Sequence, residues 1–236
     1  MLKVNEIFGP TLQGEGKSLG KPVVFLRTAL CNLHCIWCDT PFTWNWEGMP
    51  YKHPEKFRRE DEVHEMETDE VVSQLITLGG GTKALVVSGG EPLLQQHNLL
   101  KVFRELKGWW IEIETNGTIA PTEEFVAAVS QINCSPKLSN NQEDKKTLRE
   151  RPNALTKLSA CGKTNFKFVV TSAEDASEIL ELVDKYRMGE VFLMPEGRTR
   201  EEQERNQETV EQLCIKYGFR FTPRLHILLW GDKRGA

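Results

Sequence analysis

One short stretch, Cys31-Asn-Leu-His-Cys35-Ile-Trp-Cys38, decides how the rest of this sequence is interpreted. Three thiols so close together form a donor set typical of soft metals and iron–sulfur clusters. A disulfide is a poor interpretation, because three is an odd number and a compact loop cannot pair them all. A closed zinc site needs four ligands, and His34 lacks the usual paired spacing for the fourth. Ligand count and softness therefore favour a [4Fe–4S] cluster with one iron left open, over zinc or inert thiols.

Predicted strands and helices alternate along the sequence around this loop. The apolar run Val23-Val24-Phe25-Leu26 predicts a buried strand over residues 21–27, which delivers the cysteine loop at its C-terminal end. Further strands are predicted over residues 83–88, 109–114, from 132, 165–170, 190–194 and 219–222, with helices between them that include 68–79 and 200–217. Such alternation is typical of parallel βα units with right-handed crossovers. The first six of these strands form the core and the last closes the series. Six core strands are fewer than the eight of a full barrel, which favours an α/β fold, an open partial (βα)6 barrel.

We expect a single domain over residues 1–236, because no repeat, low-complexity stretch or linker interrupts the sequence. Leu2 to Ile7 alternates and predicts a short edge strand. The following residues, 8–16, are too rich in glycine and proline to predict a regular element. Gln13 and Glu15 in that segment fit a plain surface turn and a ligand-binding loop equally well.

Composition and charge restrict the class of protein. Hydrophobic residues make up 39% of the 236 residues and charged residues 27%, as in an ordinary globular protein. A net charge of −4 gives no sign of a nucleic-acid-binding surface. No run is long enough to span a membrane, and Met1-Leu-Lys-Val-Asn-Glu lacks the apolar region of a signal peptide. We therefore expect a cytoplasmic protein without disulfides, in which Cys134, Cys161 and Cys214 are buried or spare thiols.

Distinctive motifs follow four of the predicted strands at their C-terminal ends. The cysteine loop follows the first, Ser88-Gly-Gly-Glu-Pro92 the second, Thr115-Asn-Gly117 the third and Ser135-Pro-Lys137 the fourth. In parallel βα folds the functional groups gather at this edge, so we expect the motifs to line one pocket. A glycine pair alone is more often a turn, but here it follows a strand and accompanies the cysteine loop.

The cysteine spacing resembles that of radical S-adenosylmethionine (SAM) enzymes. Cys31, Cys35 and Cys38 match their C-x3-C-x2-C loop, and Trp37 fits the aromatic residue common before the last cysteine. The resemblance implies that SAM chelates the fourth iron and that reductive cleavage of SAM gives a 5′-deoxyadenosyl radical. It also implies that Gly89-Gly90-Glu91 binds the methionine amino group of SAM.

A more specific resemblance covers residues 5 to 234. The motifs Gln13-Gly-Glu-Gly16, Arg27, Asp39-Thr40-Pro41, Ser88-Gly-Gly-Glu-Pro92, Glu114-Thr-Asn-Gly-Thr118, Ser135-Pro-Lys137 and the segment from Leu225 to Arg234 together resemble 7-carboxy-7-deazaguanine synthases. Residues 1–22 then correspond to an N-terminal substrate-binding extension. Two segments, about 44–67 and 139–164, carry no matching motif and are interpreted as variable insertions.

The resemblance implies a reaction and a set of site residues. The family converts 6-carboxy-5,6,7,8-tetrahydropterin to 7-carboxy-7-deazaguanine with release of ammonia, on the route to queuosine and other deazapurines, and reuses SAM. It assigns Leu12, Gln13, Gly14, Glu15, Arg27 and Ser88 to substrate binding, Trp37, Asp39, Gly89, Gly90, Glu91, Ser135, Pro136 and Lys137 to SAM, and Cys31, Cys35, Cys38 and Thr40 to metals. Thr40 corresponds to the family's Mg²⁺ ligand, although its sequence context alone indicates a capping residue before Pro41.

The resemblance also implies partners for this protein, and two alternative functions remain to be tested against it. A reductant such as flavodoxin or ferredoxin would supply electrons, and relatives of this kind are commonly homodimers. One rival is an activase that makes a glycyl radical on a partner protein, which would share the cysteine loop and an incomplete barrel. The other is a zinc-binding interaction module, which leaves the glycine-rich strand ends unexplained.

Overall fold

Residues 1–235, which the computed structural model describes, form one mixed sheet with helices on its flank. The strands are β1 (Leu2–Leu12), β2 (Pro22–Thr28), β3 (His64–Met66), β4 (Ala84–Gly89), β5 (Trp110–Thr115), β6 (Gln131–Cys134), β7 (Thr164–Val170), β8 (Val191–Pro195) and β9 (Arg220–Phe221). The α-helices are α1 (Arg59–Glu62), α2 (Thr68–Gly79), α3 (Gln96–Glu105), α4 (Glu123–Ala128), α5 (Lys146–Arg149), α6 (Pro152–Ala160), α7 (Asp175–Tyr186), α8 (Arg200–Tyr217) and α9 (Leu225–Trp230). None of these helices is long and apolar enough to span a membrane.

The order of the strands is β3-β1-β2-β4-β5-β6-β7-β8-β9. From β2 to β9 every neighbouring pair is parallel, whereas β1 is antiparallel to both β2 and β3. The sheet therefore has two separate edge strands, β3 and β9, and the barrel is open. The predicted α/β class and the six predicted core strands, β2 and β4 to β8, are confirmed.

The sheet curves strongly. Seven strands laid flat at a spacing of about 4.8 Å would separate β2 from β9 by about 29 Å. Yet Gly16, four residues after β1, donates its N–H to the Thr222 hydroxyl, one residue after β9, at 2.8 Å, and four residues span at most about 14 Å. Arg224, which follows β9, also forms an ion pair with Asp39 in the loop after β2. The sheet must therefore curve until the loops at its two ends meet above its inner face.

Alternation along each strand separates the apolar core from the inner face. Val24 and Leu26 of β2 join the large apolar core between sheet and helices, as do Ile111 and Ile113 of β5. The residues between them in sequence, such as Glu112 of β5, lie on the opposite face, because successive side chains of a strand point to opposite sides. The helix side is thus a continuous apolar core, and the inner side is free to carry polar chemistry.

Helix boundaries follow local sequence signals. The α8 helix begins with a capping box, in which the Thr199 hydroxyl accepts from Glu202 N–H and the Glu202 side chain accepts from Thr199 N–H. It ends at Tyr217, and the following Gly218 has a φ of +71°, a conformation that glycine adopts without steric cost. The predicted helices over 68–79 and 200–217 are confirmed at both ends.

The prediction for the N-terminal segment, a short edge strand over residues 2–7, was wrong in two respects. The strand β1 is not at the edge of the sheet, because β3 pairs with its residues Leu2 to Val4. It also continues through Gly9 and Pro10 to Leu12, rather than ending near Ile7. Its pairing with β2 shifts register between Phe8 and Thr11, so a bulge accommodates the Gly-Pro pair. The extended strand carries Gln13 to the inner face of the sheet.

Candidate active site

A cavity of about 390 Å³ lies at the C-terminal ends of the parallel strands. All of the predicted site residues except Glu91 and Pro136 line it: Leu12, Gln13, Gly14, Glu15, Arg27, Cys31, Cys35, Trp37, Cys38, Asp39, Thr40, Ser88, Gly89, Gly90, Ser135 and Lys137. The motifs that follow four different strands thus meet at one place. The size is typical of a small-molecule site.

The glycine pair holds the cysteine loop against the end of β4. Gly90 N–H donates to Thr28 O at 3.1 Å, and Glu91 N–H donates to Leu30 O at 2.8 Å. A Cβ at Gly90 would lie 2.0 Å from Leu30 O and 3.0 Å from Cys31 Cβ. Glycine is therefore required here because two backbone segments approach each other closely.

The three thiols fit an iron–sulfur cluster better than a single metal ion. Each is within hydrogen-bonding distance of a side-chain N–H: Asn116 Nδ2 lies 3.9 Å from Cys31 Sγ, Asn141 Nδ2 3.6 Å from Cys35 Sγ, and Trp44 Nε1 3.4 Å from Cys38 Sγ. Thiolate ligands of such clusters commonly have polar donors of this kind around them. Among residues 1–235, no three His, Cys, Asp or Glu side chains converge tightly enough to hold one metal ion. A cluster does not need such convergence, because each of its irons takes one thiolate.

Glu91 is completely buried below the cavity. Its Oε1 accepts from Leu93 N–H at 2.9 Å and from the Thr115 hydroxyl at 2.8 Å, and its Oε2 accepts from Asn116 N–H at 2.7 Å. Burial raises its pKa above the ordinary value, while these hydrogen bonds oppose the rise. In this structure Glu91 ties the end of β4 to the end of β5.

A polar layer crosses the inner face below the cavity. Gln13 Nε2 donates to Glu112 Oε1 at 2.6 Å and to Glu114 Oε1 at 3.1 Å. The Ser88 hydroxyl donates to Glu114 Oε2 at 3.2 Å. Burial raises the pKa of Glu114, and the nearby Lys167 opposes the rise. Glu114 therefore holds a proton more readily than an exposed carboxyl.

The N-terminal segment is fixed in this layer by an ion-pair network. Glu15 pairs with Lys167, and Arg224 Nε lies 3.2 Å from Glu15 Oε1. Burial alone would raise the pKa of Glu15, but the charges of Lys167 and Arg224 outweigh it and hold the pKa far below its usual range. Burial similarly acts to lower the pKa of Lys167, and the charges of Glu15 and Glu114 raise it. Both groups are therefore ionised at neutral pH.

Sequence reasoning did not identify Lys167, Glu112, Glu114 or Arg224 as site residues. A signal was present for three of them. Lys167 interrupts the apolar strand Asn165-Phe-Lys-Phe-Val-Val170, and two glutamates alternate with isoleucines in β5. Charged residues in otherwise buried strands indicate an inner polar face. Arg224 lies in a loop and gave no comparable signal.

The C-terminal segment covers one side of the cavity. Arg234 Nη2 lies 2.7 Å from Glu62 Oε2 and 3.1 Å from Asn5 Oδ1, and its guanidinium lies 4.0 Å from the Phe42 ring centroid. Asp232 pairs with Arg198 at 2.8 Å. These contacts fasten the chain after α9 along the cavity, and residues 232–235 form part of its lining.

His226 lies in α9 against Gly14, where a Cβ would be 2.5 Å from His226 Nδ1. Burial lowers the pKa of His226 to about 4, with Glu15 opposing the shift and Arg224 and Lys167 adding to it. The folded protein therefore keeps His226 neutral at a pH where the unfolded chain, with a pKa of 6.5, is protonated.

We expect this difference to make stability depend on pH. Between the two pKa values the unfolded state binds more protons, so stability falls as pH decreases. Going from about pH 7 to about pH 5, His226→Gln should lose less thermal stability than the unsubstituted protein. The reason is that the variant lacks the one proton that the unsubstituted protein takes up at this position on unfolding. His97→Gln, which replaces an exposed histidine of α3, should behave like the unsubstituted protein. Equal losses in all three proteins would contradict the assignment.

Comparison with known proteins agrees with this geometry. A family model described as the radical SAM superfamily matches residues 25–141. The crystal structure of QueE from Escherichia coli superimposes with a TM-score of 0.68 at 23% identity, covering 95% of this chain and 94% of that chain. The fold, the cysteine loop and the family match define a radical SAM enzyme. Membership in that superfamily implies a [4Fe–4S] cluster and SAM as cofactors.

Curated relatives narrow the family. The 7-carboxy-7-deazaguanine synthase of Pyrobaculum aerophilum is 35% identical over 99% of this chain and 97% of that relative. The synthase of Bacillus subtilis is 30% identical over 100% of this chain and 98% of that relative. The chain belongs to the 7-carboxy-7-deazaguanine synthase family.

Proposed function

We propose that this enzyme converts 6-carboxy-5,6,7,8-tetrahydropterin to 7-carboxy-7-deazaguanine with release of ammonia, in the biosynthesis of queuosine or another deazapurine. One observation carries the proposal: the three thiols of the cysteine loop, Gln13, Arg27 and the half-buried Glu114 line a single cavity. Full-length similarity to synthases of this name supports the same substrate.

The cofactors would be held at the cysteine-loop side of the cavity. Cys31, Cys35 and Cys38 would hold the cluster, and Gly89, Gly90, Ser135, Lys137, Trp37 and Asp39 would contact SAM. Glu91 and Pro136, which the resemblance also assigns to SAM, do not line the cavity and would act from behind it. The Lys137 ammonium supports this placement, since it donates to the Ser135 hydroxyl at 2.9 Å and lies 5.6 Å from the Trp37 ring centroid. When bound, cluster and SAM supply the 5′-deoxyadenosyl radical that begins the reaction.

The protein's own residues would orient the pterin opposite these cofactors. Leu12 to Glu15 and Ser88 would contact the ring, and Arg27 would bind the carboxylate in a bidentate fork. Arg27 is prepared for this role, because Nε donates to Glu6 at 2.7 Å and the guanidinium lies 5.4 Å from the Phe8 ring centroid. Glu114, with its raised pKa, is suited to hold a proton near the amine that leaves as ammonia.

The enzyme would also need a metal ion and an electron donor. Thr40 would contribute its hydroxyl to a Mg²⁺ ion whose other ligands come from substrate and water, which is a usual arrangement for this ion. The cavity position of Thr40 supports this role. Flavodoxin or ferredoxin would deliver electrons. The working form would be a cytoplasmic homodimer.

The test is an anaerobic assay of the full chain. Cluster, reductant, SAM, Mg²⁺ and carboxy-tetrahydropterin are supplied, and the product is followed by mass. We expect carboxy-deazaguanine, with less than one SAM consumed per turnover. Cleavage of SAM without this product would overturn the assigned reaction, although the enzyme would still belong to the radical SAM class.

Arg27→Ala should weaken substrate binding without disturbing the cluster. Loss of a charge-assisted hydrogen bond costs about 1.5–3 kcal/mol, so KM for the pterin should rise about 10- to 100-fold. Glu6 keeps Arg234 as a partner, at 3.2 Å, which limits damage to the fold. Arg104→Ala, which breaks an exposed pair with Glu124, serves as the control. An unchanged KM in Arg27→Ala would refute the assignment.

A further inference from the structure

The segment from Trp44 to Glu67, which carries no family motif, packs directly against the cysteine loop. Trp44 is buried and its indole N–H points to Cys38 Sγ at 3.4 Å. His53 Nε2 lies 3.1 Å from the carbonyl oxygen of Cys38. Tyr51 stacks on His34 inside the loop, with ring centroids 3.6 Å apart. This segment therefore forms an aromatic cover over the cysteine loop.

The other segment without a motif, residues 139–164, holds the opposite side of the loop. Asn141 is completely buried, and its Nδ2 donates to Cys35 Sγ at 3.6 Å. The backbone carbonyl oxygen of Asn141 accepts from Ile36 N–H at 3.1 Å. Asp144 Oδ2 accepts from His34 N–H at 2.7 Å. Two segments that are far apart in sequence thus each supply one side-chain N–H to a cluster thiol.

Donors of this kind act on the electron affinity of an iron–sulfur cluster. Reduction adds negative charge, part of which lies on the sulfur ligands, and an N–H dipole directed at sulfur stabilises it. Burial strengthens the effect, because the local dielectric constant is low and water does not compete. Removing such a donor should therefore make the cluster harder to reduce.

We propose that Trp44 and Asn141 raise the reduction potential of the cluster by hydrogen bonding to Cys38 and Cys35. They are positioning residues of the cluster rather than catalytic residues, since the contacts described here are to its ligands. The proposal rests on the cluster that the radical SAM family carries and is independent of the identity of the substrate. Its test can fail while the proposed reaction stands, and the reverse also holds.

The same segment offers a matched control for Trp44. Trp46 is also buried, and its N–H donates to Phe42 O at 3.1 Å rather than to a thiol. Trp44→Phe and Trp46→Phe each remove one buried indole N–H and keep an aromatic ring. Only the first removes a donor to sulfur.

The measurement is a redox titration of the reconstituted full chain, without SAM or substrate, followed by electron paramagnetic resonance of the reduced cluster. We expect Trp44→Phe to shift the midpoint potential to a more negative value and Trp46→Phe to leave it unchanged. SAM cleavage by Trp44→Phe should be slower with a weak reductant and recover with a stronger one. A full cluster with unchanged potential in Trp44→Phe would overturn the role of Trp44.

Asn141→Leu provides the second, independent variant. It removes the donor to Cys35 without adding a charge, and it also removes the hydrogen bond from Asn141 Nδ2 to Asp144 Oδ2 at 2.9 Å and the acceptor of Asp144 N–H. We expect a shift of the midpoint potential to a more negative value, as in Trp44→Phe. If Trp44→Phe fails to assemble a cluster, Asn141→Leu decides the question, and an unchanged potential there overturns the proposal.

Discussion

Replacing Gly90 with alanine is expected to prevent assembly of the iron–sulfur cluster. The added methyl would lie 2.0 Å from Leu30 O and 2.5 Å from Leu30 C, which are backbone atoms that cannot rotate away. Relief requires β4 and the start of the cysteine loop to separate, which also strains the hydrogen bond from Glu91 N–H to Leu30 O. Overpacking of this kind costs about 1–3 kcal/mol or more, and here it displaces Cys31 directly.

Iron content after anaerobic reconstitution and the thermal unfolding temperature measure both consequences. Gly90→Ala should bind little or no iron and unfold at a lower temperature. Gly189→Ala is the matched control, because a methyl there would meet no described atom within 4 Å and the backbone φ is not positive. Full iron binding by Gly90→Ala would show that the close approach of the two segments is not needed to hold the cluster loop.

Replacing Lys167 with methionine is expected to destabilise the folded protein by about 3–5 kcal/mol, the usual effect of leaving a buried charge without its partner. Methionine keeps an unbranched side chain but removes the ammonium that faces Glu15, Glu114 and Glu112. Since total stability of a domain is about 5–15 kcal/mol, a loss of this size is a large part of it. Arg224 still faces Glu15, so we expect a folded but weakened protein.

The sign of the pH dependence identifies the cause. Without Lys167, burial should raise the pKa values of Glu15 and Glu114 above those of the unfolded chain, and their ionisation then opposes folding. The stability difference from the unsubstituted protein should therefore shrink as pH falls from about 8 to about 5.5.

Two further variants test the network. Glu15→Gln added to Lys167→Met should restore part of the lost stability, because it removes an uncompensated charge. Lys101→Met, on the exposed face of α3, should have little effect. Chemical denaturation at several pH values measures all four proteins. A small, pH-independent loss in Lys167→Met would mean that the network contributes little to folding.

The sequence predicted correctly the features that depend on neighbouring residues, and it missed those that depend on contacts between distant segments. The cysteine loop, the alternation of strands and helices and the ends of α2 and α8 depend on patterns within a few residues, and they were predicted correctly. The path of β1 was not, because pairing with β2 accommodates a Gly-Pro pair that local propensity would exclude. The two segments without motifs gave no indication that Trp44 and Asn141 face thiols of the cysteine loop.

By itself, the sequence determined the class of fold, the position of the cysteine loop and the strand ends at which the candidate site lies, since hydrophobic periodicity and cysteine spacing are local properties. Only the tertiary structure decided which side chains complete the site. Glu15 and Lys167 are 152 residues apart, and Glu15 and Arg224 are 209 apart. Such pairs meet because the parallel sheet curves until its two ends approach, and that curvature is a property of the whole sheet rather than of any one segment.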